Sequence, residues 1–185
     1  MTTDQNQRMQ LVDIVLSDGF VITELSGVVD VLRLANRVVG QTLFSFRYVS
    51  PEEGIVKSSA DTWLNAVALP KTPEADIVVF LGNSNLNFTS REIEKAVHKY
   101  RYANALVVLL AEAAAIYISA NSDDGIGHTT HWENRLLLEE KSGIFDIAPS
   151  LAVSTDKVVT CAGLVSTYDI MLQIVAAFVS KAKLL

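Results

Sequence analysis

Thiol chemistry is nearly absent from this sequence, which holds one cysteine, Cys161, among 185 residues. A lone cysteine excludes an intrachain disulfide framework and any metal site built from several thiolates. Positive charge is also scarce: 15 Lys and Arg stand against 21 Asp and Glu, a formal net charge of −6. A surface that binds nucleic acid must neutralise phosphates, and no basic run supplies the surplus, so this chain itself is expected to make no contact with DNA. Long apolar runs are missing too. The longest, Ile170 to Val179, is broken by Gln173 and falls short of the roughly 20 residues that a membrane-spanning helix needs. The polar stretch Met1 to Gln10 has no apolar core of the kind a secretion signal carries. The cytoplasm is therefore the expected location, with no membrane partner, and the sequon Asn87-Phe88-Thr89 carries no meaning.

What the chain does have is apolar surface to bury. Half of its residues are hydrophobic and 19% are charged, with a mean hydropathy of +0.30. That balance is the opposite of disorder and suits one compact domain. No repeat, low-complexity stretch or linker divides it. The expected organisation is a disordered tail over residues 1–10 and a single domain over 11–185.

Apolar runs at Leu11–Leu16, Phe44–Val49, Ile77–Leu81 and Leu106–Leu110 read as strands. Val56–Leu69 reads as a hairpin or crossing segment of short strands, and further short strands are expected near Leu151–Val153 and Val158–Thr160. Helical spacing runs from Leu25 to Val39 and is closed by Gly40. Further helices are expected over Ser90–Tyr100 with Ser90 as cap, Ala111–Ala120, Trp132 to about Lys141, and after Gly163. Strands alternating with helices imply an α/β fold with a mostly parallel central sheet covered on both faces.

Three patterns in chain order carry a family resemblance. The first is Asp18-Gly19-Phe20 followed by Glu24-Leu25-Ser26-Gly27-Val28-Val29-Asp30-Val31-Leu32. The second is Asp124-Gly125 followed by Thr129-Thr130-His131-Trp132. The third is Thr160-Cys161-Ala162-Gly163, with Asp169 six residues beyond Gly163. Together the set resembles the ThiJ/PfpI superfamily, and within it the amidotransferase-like sensor domains of AraC-family transcriptional regulators. The resemblance implies a flavodoxin-like three-layer sandwich, a pocket at the carboxyl ends of the strands, and a homodimer. Regulators of this kind carry two helix-turn-helix units after the sensor. The chain stops at Lys181-Ala182-Lys183-Leu184-Leu185, about where these would begin; the expectation is either a DNA-binding C-terminal region not contained here, through which alone DNA is reached, or a stand-alone sensor, and the first is favoured.

Enzymes that resemble this chain place a cysteine at a strand-to-helix elbow. Here the elbow reads Leu109-Leu110-Ala111-Glu112-Ala113, with Ala111 at the nucleophile position and no Ser, Thr or Cys within six residues on either side. A glycine usual two positions later is replaced by Ala113, so the sharp turn itself is expected to relax. No catalytic residue is assigned. The ligand-binding candidates are Glu24, Gly82, Asn83, Asn85, Ala111, Glu112, His131 and Trp132. Glu24 matches the acid beside the nucleophile of the enzymes, though a helix-start carboxylate favoured by the helix dipole explains it equally. Glu112 has the same two readings. Gly82 and Asn83 match a pair whose amides face the pocket, and Asn85 follows them; an ordinary turn is the competing reading. His131 either holds its loop or faces the pocket, and Trp132 is core or pocket wall. His98 is a surface residue, His128 is unassigned, and Cys161 is a buried, inert small residue. His128 and His131 lack a third ligand, so no metal is expected, and nothing calls for a cofactor.

Three functions fit. The leading one is a non-catalytic, small-molecule-sensing and dimerisation domain. The alternatives are a ThiJ/PfpI-type hydratase or amidase lacking its cysteine, and a dimerisation module with a vestigial pocket. An open cleft with polar groups favours sensing, and one filled by side chains favours dimerisation alone. Two acids in one cleft favour an amine-bearing effector, with Trp132 or Tyr117 as a cation–π surface and the amides of Gly82 and Asn83 holding any carboxylate on it.

Overall fold

A computed structural model describes residues 8–84, 91–121, 127–144 and 147–179. Asn85, the cap at Ser90, the sequon, the Asp124-Gly125 pair and the chain's last residues fall outside them. In chain order the elements are β1 (Gln10–Val15), α1 (Ile22–Val39), β2 (Phe44–Ser50), β3 (Gly54–Lys57), β4 (Trp63–Ala68), β5 (Ile77–Phe80), α2 (Arg91–Tyr102), β6 (Leu106–Leu110), α3 (Ala111–Ala120), α4 (Trp132–Ser142), β7 (Ala152–Thr155), β8 (Val158–Cys161) and α5 (Ser166–Phe178). Each lies within a few residues of its sequence-based expectation. The first strand already includes Gln10, and Arg8 before it pairs with Asp76 at 3.0 Å.

The strands form one eight-stranded sheet in the order β3-β4-β2-β1-β5-β6-β8-β7. The pairings from β4 through β2, β1, β5 and β6 to β8 are parallel, and an antiparallel partner closes each end. This is an α/β three-layer sandwich with a mostly parallel central sheet. The strand period of two divides the apolar runs between its faces. Ile77, Val79 and Leu81 pack with Val28 and Leu32 of α1 and Met171 and Ile174 of α5. Val78 and Phe80 pack with Val97 and Tyr100 of α2 and Ala114 and Ile116 of α3. A smaller cluster joins Ile118 of α3 to Leu138 of α4.

Two polar devices lock this frame. Asn36, on the last turns of α1, accepts the N–H groups of Leu43 and Phe44 at 2.9 Å and donates to the Phe44 carbonyl at 2.8 Å, stitching α1 to the start of β2. Asp13, fully buried in β1, takes a two-pronged contact from Arg47 of β2 and a 2.5 Å hydrogen bond from the Tyr100 hydroxyl. Chain order reverses on either side of β1, with β2 to one side and β5 to the other. The loops leaving the carboxyl ends of β1 and β5 are laced together there, with the Val21 N–H donating to the Gly82 carbonyl at 3.1 Å and the Ser84 N–H to the Gly19 carbonyl at 3.0 Å.

Candidate functional site

The carboxyl ends of β5, β6 and β8, with the first turn of α1, bring Gly82, Ala111, Gly163 and Glu24 to one point. Ala111 leaves the extended backbone of Leu110 at φ +42, in the left-handed region. The expectation of a relaxed elbow was wrong: the sharp turn persists with alanine at both 111 and 113. Packing holds it. The Thr130 hydroxyl donates to the Ala111 carbonyl at 2.6 Å. A Cβ built on Gly82 or on Gly163 would lie 2.8 Å from the Ala111 methyl. Only glycine fits on either side of the elbow.

Two carboxylates stand beside the elbow and take up its neighbouring amides. Glu24 is fully buried, and its Oε2 accepts the Gly82 N–H at 2.7 Å while Oε1 accepts the Leu164 N–H at 3.1 Å. Glu112, 8% exposed, accepts the Asn83 N–H at 2.9 Å and the Asn134 side-chain amide at 3.2 Å. Both acids crowd Gly82, whose added Cβ would sit 2.6 Å from Glu112 Oε2 and 3.1 Å from Glu24 Oε2. Burial pushes the Glu24 pKa up to about 7; its two backbone amides pull the other way, and the Glu112 carboxylate adds to the rise. The amides expected to hold an effector's carboxylate are thus occupied by the protein's own acids.

Behind Gly163 opens a cleft of about 450 Å³, lined among others by His131, Trp132, Arg135, Leu151, Leu164 and Asp169. Trp132 is pocket wall at its mouth, 64% exposed, with the His131 ring 5.6 Å away. Tyr117 lies elsewhere: it is buried on the α2 side, where Arg101 donates to its hydroxyl at 3.2 Å and His128 meets its ring edge-on. Thr129 and Thr130 are structural. The Thr129 hydroxyl donates to Ser150 at 2.6 Å and its N–H to the Thr160 hydroxyl at 3.0 Å, fastening the cleft's rim to β8. His98 is exposed. Cys161 is fully buried, and burial pushes its thiol pKa up. Among the described residues no group of three His, Cys, Asp or Glu side chains is placed to hold a metal ion, and no helix is long and apolar enough to cross a membrane.

Sequence reasoning passed over Asn134, Arg135, Leu164 and the placement of Asp169. Only Asp169 left a signal, as an acid in the first turn of an otherwise apolar helix. The cleft side chains do not include Glu24 or Glu112, which stand behind its wall.

No protein-family model matches the chain, and no curated protein matches it in sequence. Its architecture does match solved structures. An AraC family transcriptional regulator from Pseudomonas putida superposes with a TM-score of 0.80 at 22% identity, over 94% of this chain and 95% of that one. A ThiJ/PfpI domain protein from Brachyspira murdochii gives 0.74 at 17% identity, over 91% and 95%. Oxidized DJ-1 from Toxoplasma gondii gives 0.71 at 14% identity, over 94% and 93%. The fold is that of the ThiJ/PfpI and DJ-1 proteins, as the three sequence patterns imply.

Proposed function

We propose that this domain is a non-catalytic sensor of a small organic molecule, serving transcription regulation through a separate DNA-binding region. The observation that carries the reading is the contrast at the elbow. A sharp turn holding Ala111 has its neighbouring amides capped by Glu24 and Glu112, while an open cleft lies just behind Gly163. An enzyme of this fold needs a nucleophile at the turn and free donors beside it. A sensor needs neither, only a cleft whose occupancy alters the surface around it.

The cleft's own groups favour an amine-bearing effector. Asp169 offers a carboxylate that no cation pairs with among the described residues, and Trp132 offers an exposed indole. A cation over that ring contributes about 0.5–2 kcal/mol. A carboxylate on the same molecule meets Arg135, which it shares with Glu139 at 3.2 Å, since the Gly82 and Asn83 amides are taken. The working form is a homodimer, in keeping with exposed Leu34 and Val38 on α1 and Leu172 on α5.

A thermal-shift screen of amines, amino acids, organic acids and sugars tests the reading. Amine-bearing compounds should stabilise the domain, and Asp169→Asn or Trp132→Ala should remove the effect. Stabilisation by sugars or simple anions alone would overturn the effector class.

A further inference from the structure

Leu164 sits in the left-handed backbone region at φ +51, which residues with a bulky side chain seldom occupy. Its N–H is held by Glu24 Oε1 at 3.1 Å, while Oε2 of the same carboxylate holds Gly82 at 2.7 Å. Leu164 and Val165 wall the cleft. With the Thr167 N–H, which holds the Leu164 carbonyl at 3.1 Å, this buried carboxylate keeps the cleft wall in an unfavourable shape, and among the described residues it alone ties Leu164 to the loop after β5. Both grips need an oxygen that accepts. A carboxylic acid carries its hydrogen on one oxygen, which is then a much weaker acceptor, so protonation weakens one of the two bonds. The Leu164 bond is the longer, and Leu164 is the strained residue.

We propose that Glu24 is a proton-operated tether: ionised, it fixes the cleft wall at Leu164, and protonated, it keeps Gly82 and lets Leu164 go, so that the shape of the cleft is linked to one proton.

The surroundings suit such a device. From α3 the Glu112 carboxylate disfavours a second charge, and from β8 the Cys161 thiol lies close enough to feel Glu24. Asp169 of α5 acts on the same thiol. Among the described residues no cation figures in the groups acting on Glu24, and burial places its titration at about 7. The tether balances near neutral pH because two backbone hydrogen bonds offset the cost of a buried charge. Its use in gating an effector rests on the sensor reading above. The tether itself is built from the domain's own residues, so its test needs no effector.

The test is a pH titration of the domain's backbone amide NMR signals from about pH 5 to 9. Leu164 and Gly82 should titrate together with a midpoint near 7. On acidification the Leu164 amide should move upfield and lose several-fold of its exchange protection, whereas Gly82 keeps its own. In Glu24→Gln, a neutral side chain with a single acceptor, Leu164 should be released at every pH and neither signal should titrate. Glu112→Gln should lower the midpoint, and His131→Asn should leave it in place. If Glu24→Gln does not fold, the unmodified domain and Glu112→Gln decide the matter by themselves. Flat Leu164 and Gly82 signals, a transition that survives Glu24→Gln, or one that vanishes with His131→Asn would each overturn the proposal. A failed ligand screen removes the sensor reading and leaves the tether standing; a flat titration does the reverse.

Discussion

The Glu112 carboxylate accepts the backbone N–H of Asn83 at 2.9 Å, one residue along from the Gly82 amide that Glu24 holds at 2.7 Å. Two adjacent donors beside the elbow are thus each capped by an acid from a different helix. The unmodified domain should accordingly show no amidase, protease, glyoxalase or hydratase turnover. Installing a thiol by Ala111→Cys should add little, because nearby carboxylates hold a thiol's pKa up and leave it protonated. Multiple-turnover assays check both statements, and robust turnover by the unmodified protein would refute the first.

Gly82→Ala and Gly163→Ala should each destabilise the fold by about 1–3 kcal/mol, since the added methyl meets Ala111 at well under contact distance, together with both acids at Gly82 and with Glu24 at Gly163. Gly143 is the control. Like Gly163, at φ +80, it lies in the left-handed region, at φ +66, but it has open space around it. Gly143→Ala should cost only the backbone strain, about 1 kcal/mol. Urea midpoints separate crowding from strain.

Glu24 should make the domain less stable as pH rises. Its folded pKa, about 7, lies above the unfolded value of 4.5. The folded state therefore holds the proton more tightly. The resulting stabilisation is complete below about pH 4.5 and is lost as pH climbs to 7, on the order of 3 kcal/mol in all. Glu24→Gln should flatten this part of the stability profile in chemical denaturation. A wild-type profile that rises over the same window after Glu24→Gln is subtracted would contradict the assignment.

Arg47→Met should cost roughly 2–3 kcal/mol. It leaves the fully buried Asp13 carboxylate with the Tyr100 hydroxyl as its remaining side-chain partner, and stranding a buried charge is expensive. The figure is set below that of a fully buried pair because the Arg47 side chain is 40% exposed. Tyr100→Phe should cost less, about 1–2 kcal/mol, by removing one hydrogen bond to a charged group. Denaturant titration of the two variants gives the order.

Sedimentation at tens of micromolar should give a dimer, and introducing charge at Leu34 or Leu172 should weaken it if the α1–α5 layer is the contact. A monomer from the unmodified domain would remove dimerisation from the proposed function.

Much of the frame was legible in the amino-acid order. The runs Ile77–Phe80 and Leu106–Leu110 are apolar at every position, as strands buried on both faces must be. Gly40 ends α1 at φ +73, as its place after a periodic run suggests. The alanine at the elbow was legible too, because residues 105–117 hold no Ser, Thr or Cys. These features are local: periodicity and turn chemistry act over a few residues. The site is not local. Glu24 finds its amides at Gly82 and Leu164, 58 and 140 residues away, and no local pattern marks a carboxylate that will be buried by such partners. Asp13 likewise reads as one polar position in a strand until Arg47 and Tyr100 are folded onto it, from 34 and 87 residues off. The elbow shows the same division most sharply. Sequence alone ties a left-handed turn to glycine, whereas Ala111 adopts one because Thr130, Gly82 and Gly163 close around it, and contacts assembled from three separate elements outweigh the preference of a single residue.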